Sequence, residues 1–250
     1  MKVRQLLVLA GAVLFLAPAV QAQDDTQYVF AAYHRCDMTR ETRADTIYTQ
    51  VMKPLMQKQV DAGRISGFGW GRHWAGGAWR RINYMVGTDR DAIIDARAEY
   101  IEDVQANHAA RAREFNTICG SHDDYIWTSV VGSEPLSESI QDRPSAGLSS
   151  YQVCDSREAQ ADEIMENVFA PILNSHVAAG HVNSWSWLQH SVGGRYRRAL
   201  VFDGQDYKSI LKYWDMLWED LDAKQPELLR EFGAICDSHA DYVWDLSMNQ

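Results

Sequence analysis

The sequence is short of several things. Only 4 of its 250 residues are cysteine and 6 are proline, so it is neither a disulfide-dense mini-scaffold nor a proline-rich extended chain. Positive charge is in deficit, with 24 Lys and Arg against 34 Asp and Glu and a formal net charge of −10. The absence of a basic cluster argues against nucleic acid as a partner, because phosphates need Lys and Arg to neutralise them. Long apolar runs are missing except for one near the start, Leu6 to Ala17, which is too short for a stable membrane span. The Cys-x-x-Cys-His signature of covalent haem attachment is also absent. No other motif calls for a cofactor or a metal.

The one apolar run has a meaning of its own. It follows the positive Met1-Lys2-Val3-Arg4 and precedes Val20-Gln21-Ala22, small residues where a signal peptidase cuts. Residues 1–22 therefore read as a secretory signal, with the mature chain starting near Gln23 in a periplasmic or secreted setting and no membrane attachment after cleavage. No cysteine follows the cut, which argues against a lipid anchor. Losing Lys2 and Arg4 makes the charge about −12, and about 228 residues remain, enough for one large domain or two ordinary ones.

What is abundantly present is internal similarity. Ala44-Asp45 realigns with Ala161-Asp162, and the register holds without a gap to Trp127 against Trp244. Roughly a third of the aligned positions are identical. Pro54 meets Pro171, Trp70 meets Trp187 and His73 meets His190. Gly76-Gly77 meets Gly193-Gly194, Arg80-Arg81 meets Arg197-Arg198, and Ser121-His122-x-Asp124-Tyr125 meets Ser238-His239-x-Asp241-Tyr242. Upstream, after a one-residue offset, Cys36 meets Cys154. The expected organisation is a first repeat over 23–131, a Ser-, Pro- and acid-rich linker over 132–147, and a second repeat over 148–250.

Each copy reads in the same order. Tyr28 to Arg35 is aromatic and β-branched, hence a strand. Arg43 to Ala62 has helical spacing and ends at Gly63, with Pro54 expected to kink or break it. Ile65 to Arg72 and Trp79 to Val86 flank the Gly-Gly hairpin signature. Asp91 to Ile118 reads as one long helix, and Tyr125 to Val131 as a last strand. The fold class is α+β, two tandem ferredoxin-like βαββαβ repeats. In that topology the strand order is 4-1-3-2, so the end of strand 1 lies beside the start of strand 4. Four cysteines allow three pairings. Cys36–Cys119 with Cys154–Cys236 makes both copies equivalent and both pairs neighbours, and an exported chain offers the oxidising setting.

This order and duplication resemble the dimeric α/β-barrel superfamily, in which two ferredoxin-like units place their sheets face to face. With both units in one chain, the resemblance implies an intramolecular pseudo-dimeric barrel. The superfamily includes cofactor-independent oxygenases, haem-degrading and haem-using enzymes, small-molecule isomerases and members without known activity. No residue set here selects one branch, and fold alone does not assign function.

Several residues are candidates for chemistry. His73 and His190 stand next to the Gly-Gly turn as a general base or metal ligand at the barrel mouth, or as inherited hairpin residues. His122 and His239 sit in a Ser-His-x-Asp-Tyr motif better read as a turn than as an acid–base pair. One arginine of each Arg-Arg pair, Arg81 and Arg198, is a candidate for an anionic ligand group, against the alternative of pairing with a helix carboxylate. On strand 2, Phe68, Trp70 and Arg72 share one face and Gly67, Gly69 and Gly71 the other, matched by Trp185, Trp187 and Gln189 against Ser184, Ser186 and Leu188. Trp70 and Trp187 are thus expected to line a barrel pocket rimmed by His73, His190 and the arginines. The function this supports is binding of a small apolar, amphipathic or anionic molecule, or of a partner protein. The alternatives are a cofactor-independent oxygenase or isomerase with a histidine base and an arginine anion contact, or non-covalent haem binding.

Overall fold

The computed structural model describes residues 26–133 and 145–249. The expected signal, residues 1–22, and residues 134–144 of the expected linker lie outside the described residues. Alternating strands β1 (Tyr28–Arg35), β2 (Gly67–Gly76), β3 (Arg81–Gly87) and β4 (Ser121–Gly132) are followed by β5 (Ala146–Val153), β6 (Ser184–Val192), β7 (Arg198–Gly204) and β8 (Ser238–Asp245). They form one closed antiparallel barrel in the order β1-β3-β2-β8-β5-β7-β6-β4. Each half keeps the 4-1-3-2 order, and the halves join edge to edge through β2–β8 and β4–β6.

The helices cover the outside. In the first half α1 (Glu41–Ile47) runs through a π-helical turn (Tyr48–Met52) into α2 (Lys53–Asp61), and α3 (Arg90–Asn107) is followed by α4 (Ala109–Ile118). The second half repeats this with α5 (Glu158–Ile164), a π turn (Met165–Phe169), α6 (Ala170–Ala178), α7 (Tyr207–Lys224) and α8 (Pro226–Ile235). Of the kink or break expected at Pro54, the break does not occur, and the helix runs on through it. The π turn just before it absorbs the missing donor: the Lys53 amide reaches back to the Tyr48 carbonyl, one residue further than an α-helix would. The long helix expected over Asp91 to Ile118 is two helices. In the second copy the cause is local, since Gln225 precedes Pro226 and such a residue avoids the α region. In the first copy His108 takes the same conformation before Ala109, with no proline to impose it.

Each half has a core between sheet and helices, and the barrel interior forms a third. The interior is filled at its waist by aromatic rings. Tyr33 stacks on Trp79 at 4.2 Å, Trp79 on Tyr242 at 5.0 Å, and Tyr125 on Trp127 at 4.8 Å. The disulfides Cys36–Cys119 and Cys154–Cys236 tie the end of the first strand of each half to the start of its last, as the strand order requires.

The duplicated glycines explain how the halves fit. A Cβ on Gly193 would lie 2.1 Å from Tyr125 Cδ1, and one on Gly77 would lie 2.5 Å from the Tyr242 hydroxyl. Each Gly-Gly turn is therefore the seat for the tyrosine that the other half repeats in its Ser-His-x-Asp-Tyr motif. Gly193→Ala is expected to lower stability by about 1–3 kcal/mol through overpacking. Gly233→Ala, on α8 with nothing within 4 Å of the new methyl group, is expected to raise it by about 0.5–1 kcal/mol. Denaturant midpoints of the two variants test the contrast.

Candidate functional site

Strand alternation puts Phe68, Trp70 and Arg72 on one face of β2, as read from the sequence, but that face is the outer one. Trp70 and Trp187 are fully buried against the helices, not inside the barrel. The glycine face lines the interior, because a Cβ on Gly69 would strike the Tyr84 ring at 2.3 Å. The expected Trp70–Trp187 pocket is thus corrected. Its tryptophans are the floor of the sheet–helix cores, and the interior rings come from β1, β3, β4, β5, β8 and the hairpins.

Arg81 and Arg198 also face the helices. Arg81 forks onto Asp45 through Nε at 2.7 Å and Nη2 at 2.9 Å, and Trp70 Nε1 donates to the same carboxylate at 2.9 Å. Arg198 repeats this on Asp162, at 2.7 and 2.6 Å, with Trp187 Nε1 donating at 2.8 Å. Arg80 and Arg197 bind Glu41 and Glu158. Both arginines of each pair are therefore held by carboxylates of α1 or α5, and neither is free for an anion. Since removing one partner strands a buried charge, Arg81→Met is expected to destabilise by about 3–5 kcal/mol, measured by denaturation.

His73 lies near Tyr242 and Trp244 and accepts a hydrogen bond at Nδ1 from Arg80 Nη1 at 2.6 Å, since a guanidinium can only donate. Burial, with Arg80 adding to it, pushes His73 below the usual histidine range. Burial and Arg197 do the same to His190. Neither ring lines the sheet–helix cavity of the first half or the cavity in the barrel lumen. His122 and His239 are half exposed and bond their own motif's aspartates, Asp124 at 2.8 Å and Asp241 at 2.9 Å.

A different histidine stands at a cavity. Between the first sheet's outer face and α3/α4 there is a space of about 240 Å³. Its walls include Phe30, His34, Asn83, Met85, Arg97 and His122. His34 is buried and neither ring nitrogen has a hydrogen-bond partner. Its ring is 5.4 Å from that of His122. Burial, with His122 adding to it, pushes His34 down to about 3, so it is neutral at physiological pH. Arg97 lies over the Phe30 ring at 4.3 Å and reaches Asp124 at 3.4 Å. In the second copy the aligned positions carry Leu148, Gln152, Leu200, Phe202 and Trp214. There Gln152 donates to Ser150 at 2.7 Å, and Leu148, Leu200 and Phe202 are packed into the core. Sequence reasoning passed over His34, although its place between a repeated tyrosine (Tyr33, Tyr151) and a repeated cysteine (Cys36, Cys154), where the second copy has Gln152, was a visible signal.

A macrocycle of haem's size does not fit this space, which is below the ~300–1,000 Å³ that holds drug-sized ligands. Among the described residues no cluster of His, Cys, Asp or Glu could hold a metal ion.

No protein-family model matches the chain, and no curated protein does. Solved structures do. A monooxygenase candidate from Lactobacillus acidophilus NCFM is 11% identical with a TM-score of 0.56, over 88% of this chain and 93% of that one. An anthrone oxidase-like protein is 10% identical with a TM-score of 0.58, over 90% and 92%. A monooxygenase candidate from Fusobacterium nucleatum is 10% identical at 0.58, over 90% and 94%. The shared fold is a dimeric-type α/β barrel. In this chain both sheets of the barrel are supplied by one polypeptide, with the His34 cavity on one of them.

The His34 cavity makes stability depend on pH in a defined direction. The folded state holds His34 neutral down to about pH 3, whereas an unfolded histidine titrates near 6.5. Below about 6.5 the unfolded chain therefore binds the extra proton, and this contribution is lost as pH falls towards 3. Between pH 6.5 and 5, His34→Gln is expected to lose less stability than the wild type, by up to about 1.4 kcal/mol per pH unit. Paired denaturation curves at both pH values check this.

Proposed function

We propose that the chain is an exported small-molecule-binding barrel protein. Its ligand is a compact, largely apolar molecule with one hydrogen-bonding group, held between the first sheet and α3/α4 against His34. The observation that carries this reading is the buried imidazole with both nitrogens unpartnered at a cavity wall. Such a group costs about 1–3 kcal/mol while unsatisfied, and a hydroxyl or carbonyl placed beside it removes that cost. Phe30, Met52, Met56, Met85 and Phe115 give the apolar surround, and Asn83 and Asn116 the remaining polar contacts. Two disulfides support an oxidising compartment, periplasmic or secreted. Among the described residues no helix is long and apolar enough to cross a membrane.

A second reading is oxygenase or isomerase chemistry without a cofactor at the same place. The neighbouring His34 and His122 rings, with Asp124 behind His122, favour it. A histidine that protonates only near pH 3 is a weak base, which places binding ahead of catalysis.

Thermal-shift screening of phenols, quinones and small apolar acids tests the proposal. At least one class is expected to raise the melting temperature of the wild type and not that of Met85→Phe, which installs the second copy's filling residue. A shift kept by the filled variant, or no shift from any class, rules the site out. Oxygen uptake with the ligands that bind separates turnover from binding.

A further inference from the structure

The barrel interior holds a second cavity, independent of His34. It measures about 320 Å³ and lies at the end of the barrel where β1 and β5 begin. The aromatic layer of Tyr33, Trp79 and Tyr242 separates it from the opposite, hairpin end. Its lining combines two chemistries. Val29, Ile82, Trp127 and Trp244 supply an apolar and aromatic surface. The stretch of wall on β6 and β7 adds Ser184, Ser186 and Asp203.

Among the described residues Asp203 is the only charged side chain in the lining, and no Lys, Arg or His lines the cavity with it. The Ser184 hydroxyl donates a hydrogen bond to its carboxylate. Burial holds its carboxyl above the usual aspartate range. The polar wall is not a requirement of the fold. In the first copy Val86 aligns with Asp203, Gly67 with Ser184 and Gly69 with Ser186, and that half closes the barrel equally well.

We propose that this lumen is a binding site for a small organic cation, whose ammonium group pairs with Asp203 and whose apolar body lies on Trp127, Trp244, Val29 and Ile82. A carboxylate without a cationic partner, facing aromatic rings in a confined space, favours a charge that the rings also attract. The volume is at the lower end of ~300–1,000 Å³ small-molecule sites, which suits one ring with a short amine arm. A carboxylate ligand of the same shape meets like charge, and a neutral alcohol gives up the ion pair.

Calorimetric titration of the full chain with 2-phenylethylamine, 2-phenylethanol and 3-phenylpropionate tests this. The amine is expected to bind and to perturb tryptophan fluorescence, with the alcohol weaker and the acid undetectable. Asp203→Asn is expected to weaken the amine by about tenfold or more, and Asp203→Glu to keep most of its affinity. Binding to Met85→Phe, whose sheet–helix cavity is filled, stays at wild-type strength, so the two sites stand or fall separately. The proposal is overturned if the amine does not bind at millimolar concentration, if the alcohol or acid binds as well, or if Asp203→Asn binds like the wild type. Should Asp203→Asn not fold, the amine-to-alcohol ratio in the wild type decides alone.

Discussion

Edge closure is the constraint on which the rest of the molecule depends. Each half, with its strands in the order 4-1-3-2, would by itself leave the edges of β2 and β4 unpaired, and β4 is twelve residues long. Such edges template aggregation unless they are covered. Here β2 pairs with β8 and β4 with β6, so each half removes the other's edges. Arg72 on β2 reinforces one seam by bonding Asp245 on β8 and the Ser247 hydroxyl. Closure then fixes the interior. Where the wall curves inward, only glycine fits at Gly69 and at the Gly-Gly turns, and the space gained is taken by Tyr84, Tyr125 and Tyr242.

A second constraint holds the helices to the outside of this barrel. Asp45 and Asp162 each receive a forked arginine and an indole N–H, and this triad sits where the first helix of a half crosses its sheet. A buried ion pair is weak evidence of net stabilisation, and what the triad supplies is a directional contact between helix and sheet. The same requirement accounts for the Trp, Asp and Arg-Arg repeats. The Gly-Gly, Trp, Asp and Arg-Arg residues kept identical in both copies serve closure and helix docking, two tasks that both copies must perform.

Strand order and disulfide pairing were legible in the sequence because both follow from local signals: alternation, turn residues and which strand ends must be neighbours. The side of β2 that faces inward was not legible. Alternation separates Trp70 from Gly69 but does not say which faces a narrow lumen and which a helix. That depends on the curvature of the closed sheet, a property of all eight strands together. The helix break at His108 likewise has no local cause, while its counterpart at Gln225 is announced by Pro226. The site was sought among repeated residues, so His34 was missed.

The repeated residues were in fact the wrong place to look, for a physical reason. A symmetric dimer of identical chains must carry every substitution twice, so an unsatisfied group would cost both halves. With both halves in one chain, a destabilising residue is carried once. His34, buried without partners, stands where the second copy has the bonded Gln152. Asp203, a carboxyl shifted by burial, stands where the first copy has Val86. Each copy thus keeps a conventional residue at the position where the other departs from it. The departures lie on opposite faces of the wall, one in the sheet–helix space and one in the lumen. Divergence between aligned positions that share a backbone setting is therefore the more informative signal in this chain. It marks residues that the common architecture does not need.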